Sequence, residues 1–219
     1  MSTRIALINA VAAAIAPAQD ALARDFPQAE VWNLLDDRLL ADADARGGLD
    51  DDLRARMNAL IALALDSGAD GVLLTCSLYG PVAQGYRSER PVLAPDESAF
   101  ADLAAAGHAR VLVVASFDTA KDDSAARLRE ALGDNGTEVT ALAVPAAMAA
   151  TKAGDADALA TALVDACRPL AADVDAVFLA QYSLAPAGDR LAAALGLPVV
   201  SGPASAAAAL RRRLAEDAS

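Results

Sequence analysis

The chain has 219 residues, of which 55% are hydrophobic and only 4% aromatic, and its formal net charge is −12 at pH 7. This length and composition predict a substantial core of Ala, Leu and Val, in one large domain or two small ones. The acidic balance argues against nucleic-acid binding, which needs clustered Lys and Arg. The single histidine excludes a multi-histidine metal site within one chain, and we expect no bound metal.

The two cysteines, Cys76 and Cys167, stand far apart in the sequence. Such usage does not form a disulfide framework and is typical of a cytoplasmic protein. The apolar run 5–18 follows Arg4 and resembles the core of a signal peptide. Its first part also has the pattern of a buried strand that a later segment repeats, so we interpret it as a strand. No apolar run reaches the about 18 residues that cross a membrane, and no membrane partner is expected.

Short apolar runs alternate with longer helical stretches along the whole chain. The predicted strands, in order, are Ile5–Ile8, Glu30–Leu34, Gly71–Thr75, Pro91–Leu93, Arg110–Ala115, Glu138–Ala143, Ala176–Ala180 and Pro198–Val200. The clearest helical patterns are Leu53–Ser67, Ser98–Ala106, Asp122–Leu132 and Ala156–Leu170. Continuous runs of Val, Ile, Leu and Ala between helices are typical of parallel strands covered on both faces. The pattern predicts a doubly wound α/β fold.

The second half of the chain repeats the first about 106 residues later. The matched segments are Arg4-Ile-Ala-Leu-Ile with Arg110-Val-Leu-Val-Val, Ala29-Glu-Val with Thr137-Glu-Val, Cys76-Ser-Leu with Tyr182-Ser-Leu, and Pro91-Val-Leu with Pro198-Val-Val. We therefore predict two tandem flavodoxin-like halves, residues 1–96 and 97–203, each with a four-stranded parallel sheet. A C-terminal helix, 204–219, is expected to pack back on the first half.

Open α/β sheets bind ligands beyond the carboxyl ends of their strands. If two such halves face each other, these ends line an inter-domain cleft, where the N–H groups of starting helices suit a carboxylate. The candidate substrate-binding residues at these ends are Asn9, Thr75, Ser77, Ser116, Phe117, Thr119 and Ser183. The chain has no Walker phosphate loop, dinucleotide glycine fingerprint or serine-hydrolase elbow, so we expect no cofactor.

Cys76 is the strongest candidate for chemistry because it follows a predicted buried strand, where a helix start would lower the pKa of its thiol. The alternative is a small buried hydrophobe, which free cysteines often are. Cys167 lies on a helix whose apolar face points inward, and we interpret it as a core residue. In this alignment Tyr182 occupies the position that duplicates Cys76. Its side chain either donates a proton to the substrate or only lines the cleft.

Three segments resemble the aspartate/glutamate/hydantoin racemase superfamily. They are Arg-Ile-Ala-Leu-Ile at 4–8, Gly-Ala-Asp-Gly-Val-Leu-Leu-Thr-Cys-Ser at 68–77 and Leu-Ala-Gln-Tyr-Ser at 179–183. The resemblance implies two similar α/β halves and a site between them that needs no pyridoxal cofactor or metal. It also implies two catalytic cysteines, one from each half, of which Cys76 matches the first. Ser77 matches a carboxylate-binding residue, and Asn9 falls where glutamate racemases carry an aspartate.

The sequence departs from this pattern where the second cysteine is expected, because our alignment places Tyr182 there. Phe117 likewise falls near the place of a tyrosine in related decarboxylases and maleate isomerases. We therefore expect a cofactor-independent isomerase, racemase-like, that acts on a small carboxylate with Cys76 as base or nucleophile and Tyr182 as proton donor. A decarboxylase of the same superfamily and a non-catalytic small-anion binding protein are the alternatives. The oligomeric state stays open, with a homodimer as one candidate.

Overall fold

A computed structural model describes residues 2–216 of the chain. All eight predicted strands are present in it, with ends that agree or differ by at most two residues. They are β1 Thr3–Asn9, β2 Ala29–Leu35, β3 Gly71–Leu74, β4 Val92–Leu93, β5 Arg110–Ala115, β6 Glu138–Ala143, β7 Ala176–Leu179 and β8 Val199–Ser201. The apolar runs of the sequence therefore located the strands correctly.

Helices fill the segments between the strands. They are α1 Ile15–Asp25, α2 Leu39–Arg46, α3 Asp51–Asp66, α4 Gly80–Gly85, α5 Glu97–Ala106, α6 Asp118–Leu132, α7 Pro145–Ala153, α8 Ala156–Cys167, α9 Gly188–Leu195 and α10 Gly202–Glu216. Aspartate caps open two of them: the side chain of Asp50 accepts a hydrogen bond from the N–H of Leu53, and Asp155 accepts one from Ala158. The predicted final helix 204–219 corresponds to α10, and its positions 217–219 lie outside the described residues.

The strands form two separate parallel sheets with the same topology. The first has the order β2-β1-β3-β4 and the second the order β6-β5-β7-β8. This repeated order confirms the doubly wound, flavodoxin-like fold in tandem and excludes one continuous eight-stranded sheet. The chain divides into two compact units, one that runs to Ser98 and resumes at Pro203, and one of Ala99–Gly202. Both divisions fall in the first turn of a helix, α5 and α10.

The central strands of each sheet are buried on both faces, as their continuous apolar sequences require. In the second unit, Leu112 and Val114 pack with residues of α7, α8 and α9, whereas Val111 and Val113 pack with residues of α5 and α6. In the first unit, α2, α3 and α4 cover one face of the sheet. On this sheet a Cβ on Gly71 would stand 3.2 Å from Leu210 of α10, so a residue without a side chain allows this close packing.

The duplication is also visible in hydrogen bonds at the amino ends of the central strands. The N–H of Arg4 donates to the carboxylate of Asp70 at 2.8 Å, and the N–H of Arg110 donates to Asp175 at 2.9 Å. Each aspartate returns a bond from its own N–H to the carbonyl of the same arginine, at 2.8 Å in both units. The same ring of two bonds therefore ties β1 to β3 and β5 to β7. Among residues 2–216, no helix is long and apolar enough to cross a membrane.

Candidate active site

The carboxyl ends of β1, β2 and β3 bring several predicted residues to one edge of the first sheet. Asn9 pairs with Leu35, and Ile8 pairs with Leu74, so the three strands end nearly level. Neighbouring strands lie about 4.8 Å apart, so β2 and β3, on either side of β1, are about 10 Å apart. Asn9, Thr75, Cys76 and Ser77 are thus gathered in an area that one small molecule can cover.

Cys76 lies two residues beyond the end of β3, in extended conformation, immediately before a short 3₁₀ turn at Ser77–Tyr79. Its carbonyl accepts a hydrogen bond from the N–H of Tyr79 at 3.0 Å. The residue is half-buried, whereas Cys167 on α8 is fully buried. Burial raises the pKa of the Cys167 thiol to about 11, because the thiolate would lose its hydration. Of the two sulfurs, Cys76 is therefore the one with access to solvent.

A buried network of neutral polar groups supports the strand ends beside Cys76. The side chain of Asn9 is fully buried; its Nδ2 donates to Oδ1 of Asn33 at 3.1 Å, and its Oδ1 accepts from the hydroxyl of Thr75 at 2.8 Å. Thr75 is also buried, with 4% of its surface exposed. Asn9 and Thr75 were predicted to bind substrate, but here their polar atoms are used in joining β2, β1 and β3. They occupy supporting positions below the surface of the sheet edge.

Tyr79 connects the turn after Cys76 to helix α2. Its ring is fully buried, and its hydroxyl donates to the carbonyl of Leu39 at 2.9 Å. Burial raises the pKa of Tyr79 to about 12, and the charge of a Cys76 thiolate contributes to the same rise. The hydroxyl therefore stays protonated at neutral pH and keeps donating to Leu39.

The arginines near this edge are held by aspartates. Arg56 of α3 donates to Asp36, which directly follows β2, at 2.6 Å, and to Asp42 of α2 at 2.9 Å. Arg38 donates to the other oxygen of Asp42 at 2.9 Å. These hydrogen bonds, from Arg38 first and then Arg56, hold the pKa of Asp42 below its usual range. The four side chains form a cluster in which each positive charge faces a carboxylate.

The carboxyl edge of the second sheet carries the other predicted residues. Ser116 is buried, and its N–H donates to Oε1 of Gln181 at 2.7 Å. Phe117 is 39% exposed and stands directly before α6, and Thr119 is exposed in the first turn of that helix. Ser183 is half-buried in the 3₁₀ helix Tyr182–Ala187, which follows β7. We predicted that a helix begins after each of these strands. The structure has a 3₁₀ helix after β3 and after β7, and an α-helix after β5.

The strand register corrects the position that we assigned to Tyr182. Leu74 pairs with Ile8 in the first sheet, and Leu179 pairs with Val114 in the second. Two residues after these leucines stand Cys76 and Gln181. The carbonyl of Cys76 accepts a 3.0 Å hydrogen bond from the N–H of Tyr79, and the carbonyl of Gln181 accepts one of the same length from Leu184. Gln181 therefore duplicates Cys76, and our placement of Tyr182 there was wrong by one residue.

The error has a physical cause in the chain between the strand and the turn. The alignment matched the Ser-Leu pairs at 77–78 and 183–184, but the second unit has one more residue between its strand and that pair. Its 3₁₀ helix is also longer, with six residues against three. Tyr182 is therefore the structural counterpart of Ser77, and only 3% of its surface is exposed.

A model of the Asp/Glu/Hydantoin racemase family matches residues 9–210. The chain belongs to this family. The resemblance read from the three sequence segments is thereby confirmed, and membership supports a racemase-like isomerase activity. A comparison with curated proteins finds no match.

Solved structures of racemases share the fold of this family member at low sequence identity. The aspartate racemase of Picrophilus torridus is 13% identical over 96% of this chain and 94% of its own, with a TM-score of 0.74. A glutamate racemase isoform of Bacillus anthracis is 14% identical over 98% of this chain and 82% of its own, with a TM-score of 0.73. The allantoin racemase of Pseudomonas fluorescens is 19% identical over 98% of this chain and 92% of its own, with a TM-score of 0.68. At such identities the likeness shows the fold alone.

Four residues of this racemase-family chain were missed by sequence reasoning. Asn33 is a single amide in an otherwise largely apolar strand, and Tyr79 follows Cys76 by three residues, so both carried a weak signal. Arg56 and Gln181 carried none, because their partners are distant in sequence: 20 residues separate Arg56 from Asp36, and 65 separate Gln181 from Ser116.

Proposed function

We propose that this member of the racemase family is a cofactor-independent isomerase that acts on a small carboxylate, with Cys76 as its base or nucleophile. The observation that carries the proposal is the position of Cys76. It is a half-buried thiol at the carboxyl end of a central strand, on a turn that Tyr79 anchors to α2. Ligands of open α/β sheets bind at this end.

In this proposal the thiolate of Cys76 removes the proton next to the substrate carboxylate, or adds to an unsaturated carbon. The hydroxyls of Ser77 and Ser183 are the candidate donors to the carboxylate. A second thiol is not available at the duplicate position, because an amide such as that of Gln181 does not transfer protons at neutral pH. Tyr182 stays our candidate for the proton donor, although its ring is almost fully buried.

The position of the sulfur favours an isomerase over the lyase alternative. The decarboxylases that the sequence resembles keep only the cysteine of the second half. Here the second-half position is Gln181, and Cys167 is buried in the core of α8. A first-half cysteine is the arrangement that the resemblance associates with thiol-based isomerisation.

The test is turnover in deuterated water. Chiral amino acids, 2-hydroxy acids and maleate are incubated with the purified chain, and NMR records α-deuterium incorporation and cis–trans conversion. Cys76→Ala should abolish turnover, whereas the matched variant Cys167→Ala should retain it. Turnover that survives Cys76→Ala would refute the assignment of the thiol. Release of CO₂ would instead identify a lyase, and thermal stabilisation by a carboxylate without turnover would identify a binding protein.

A further inference from the structure

We infer that the substrate of the Cys76 site carries one negative charge and an otherwise apolar body, and that the site rejects a second carboxylate. The inference rests on the proposed function and narrows its substrate class. It follows from the charges and the exposed apolar side chains at the carboxyl edge of the first sheet.

The segments that follow the three central strands of this unit contain more acid than base. Residues 10–14, 36–38 and 75–79 include Asp36, Asp37 and a single basic residue, Arg38. A substrate with two carboxylates would bring its second charge toward these aspartates. The local charge therefore disfavours a dianionic substrate.

The two arginines of the neighbourhood are already engaged by protein carboxylates. Arg56 bridges Asp36 and Asp42, and Arg38 donates to Asp42. Arg56 could turn to a substrate carboxylate only by giving up Asp36 or Asp42, and a half-buried carboxylate that loses its partner is costly. Arg38 is largely exposed, and its charge is offset by Asp42.

The same edge exposes apolar side chains. Among residues 2–216, the large hydrophobic residues with high exposure are Leu35 at 46%, Leu63 at 50% and Phe117 at 39%. Of these three residues, Leu35 stands at the carboxyl edge of the first sheet, where it ends β2 beside Asn9. The loop after β1 adds small apolar residues at 11–14. Exposed apolar groups concentrated at a ligand-binding edge indicate an apolar ligand.

The distances allow one small molecule to use both features. Leu35 and the end of β3 are separated by the width of β1, about 10 Å from strand to strand. A carboxylate near Ser77 and a branched or aromatic group of four to six carbons toward Leu35 would span about this distance. A short dicarboxylate would instead place its second charge beside Asp36.

The experiment measures protection of Cys76 from iodoacetamide, read by mass spectrometry of its peptide. The monocarboxylate probes are isovalerate and phenylacetate, and the dicarboxylate probes are succinate and glutarate. At ten times its dissociation constant, a bound ligand slows labelling roughly tenfold by mass action. We expect this slowing with the monocarboxylates and less than about twofold with the dicarboxylates at equal concentration.

Two variants make the comparison specific. Leu35→Arg should remove protection by isovalerate and introduce protection by succinate, because it replaces the exposed apolar group at the strand end with a cation. Leu63→Arg is the matched control: this leucine is equally exposed but lies near the C-terminal end of α3, and the variant should behave as wild type. Both positions are on the surface, so both variants should fold, and circular dichroism checks this.

Equal or stronger protection by succinate or glutarate would overturn the inference and leave the proposed function standing. Absence of protection by every probe would overturn it as well. Failure of the proposed function has a different signature, namely turnover that persists in Cys76→Ala.

Discussion

The strongest test of the strand register is to install a second thiol at two adjacent positions. The family resemblance implies two catalytic cysteines in duplicate positions, so a second sulfur is expected to act where Cys76 has its structural duplicate. The register identifies that position as Gln181, whereas matching of the sequence repeat identified Tyr182. Gln181→Cys and Tyr182→Cys therefore differ in outcome only if the register is right.

The expected difference follows from backbone geometry. Consecutive Cα atoms are about 3.8 Å apart, and Gln181 is extended whereas Tyr182 begins a 3₁₀ helix, so the two side chains leave the chain at different places. A misplacement of about 1 Å already costs catalysis about 100-fold, so Tyr182→Cys should lie at least this far below Gln181→Cys. Loss of the 2.7 Å bond from the N–H of Ser116 to Gln181 should cost about 1 kcal/mol, or about 2–4 °C in Tm, so the variant should fold.

The assay follows α-deuterium exchange and inversion of alanine, phenylglycine and aspartate by NMR and chiral chromatography. Gln181→Ala serves as the control for loss of the amide, and Cys76→Ala in each background shows whether the native thiol takes part. We expect racemisation with Gln181→Cys and none above background with Tyr182→Cys. Racemisation with Tyr182→Cys but not with Gln181→Cys would refute the register argument. Rapid inversion by the wild type would refute the idea that a single thiol acts.

Three further predictions concern the two sulfurs and Tyr79. At pH 7.5 iodoacetamide should label Cys76 well before Cys167, because a pKa of about 11 leaves only about 3 in 10,000 of the buried thiol ionised; equal labelling of the two peptides would contradict this. The pKa of the Cys167 thiol is higher in the folded chain than in the unfolded chain, so its full contribution to stability is present below about pH 9 and is lost as the pH rises toward 11. The free energy of unfolding should therefore be lower by about 1 kcal/mol at pH 10. Urea unfolding at pH 8 and 10 should therefore show a smaller pH effect in Cys167→Ala than in wild type. Tyr79→Phe removes the buried hydroxyl that donates to the carbonyl of Leu39 and should lower the free energy of unfolding by about 1 kcal/mol, whereas Tyr86→Phe at a half-buried position should have little effect.

The fold could be predicted because its signals are local. Continuous apolar runs such as Arg110–Ala115 contain their own evidence of being strands buried on both faces, and the structure assigns those same bounds. Helix ends were less accurate where a single residue decides them. The predicted helix 156–170 ends at Cys167, because Pro169 has no N–H to continue it and the chain goes on as a 3₁₀ helix, Arg168–Asp173.

The candidate site was only partly predictable because its signals are not local. Sequence placed Asn9 and Cys76 at the same edge correctly, since parallel strands end there together. It could not show that the polar atoms of Asn9 are used by Asn33 and Thr75, which are 24 and 66 residues away. Whether a polar side chain faces substrate or supports a strand depends on which distant donors meet it, and spacing along the chain does not contain that information.

The two units are alike where they fold and different where chemistry is expected. At the amino ends of the central strands, Arg4 with Asp70 and Arg110 with Asp175 make the same backbone bonds. At the carboxyl ends, in the counterpart positions given by the register, Cys76 stands against Gln181 and Ser77 against Tyr182. A duplicated site that still used both halves equally would keep equivalent groups at these ends.

The change from a thiol to an amide instead leaves the second unit without a sulfur at this position, and the amide oxygen accepts a hydrogen bond from the N–H of Ser116. The asymmetry therefore predicts that, in the proposed isomerase, Cys76 of the first unit is the thiol that reacts. We therefore expect the enzyme to isomerise a double bond, or to exchange a proton at one face of its substrate, faster than it inverts a stereocentre.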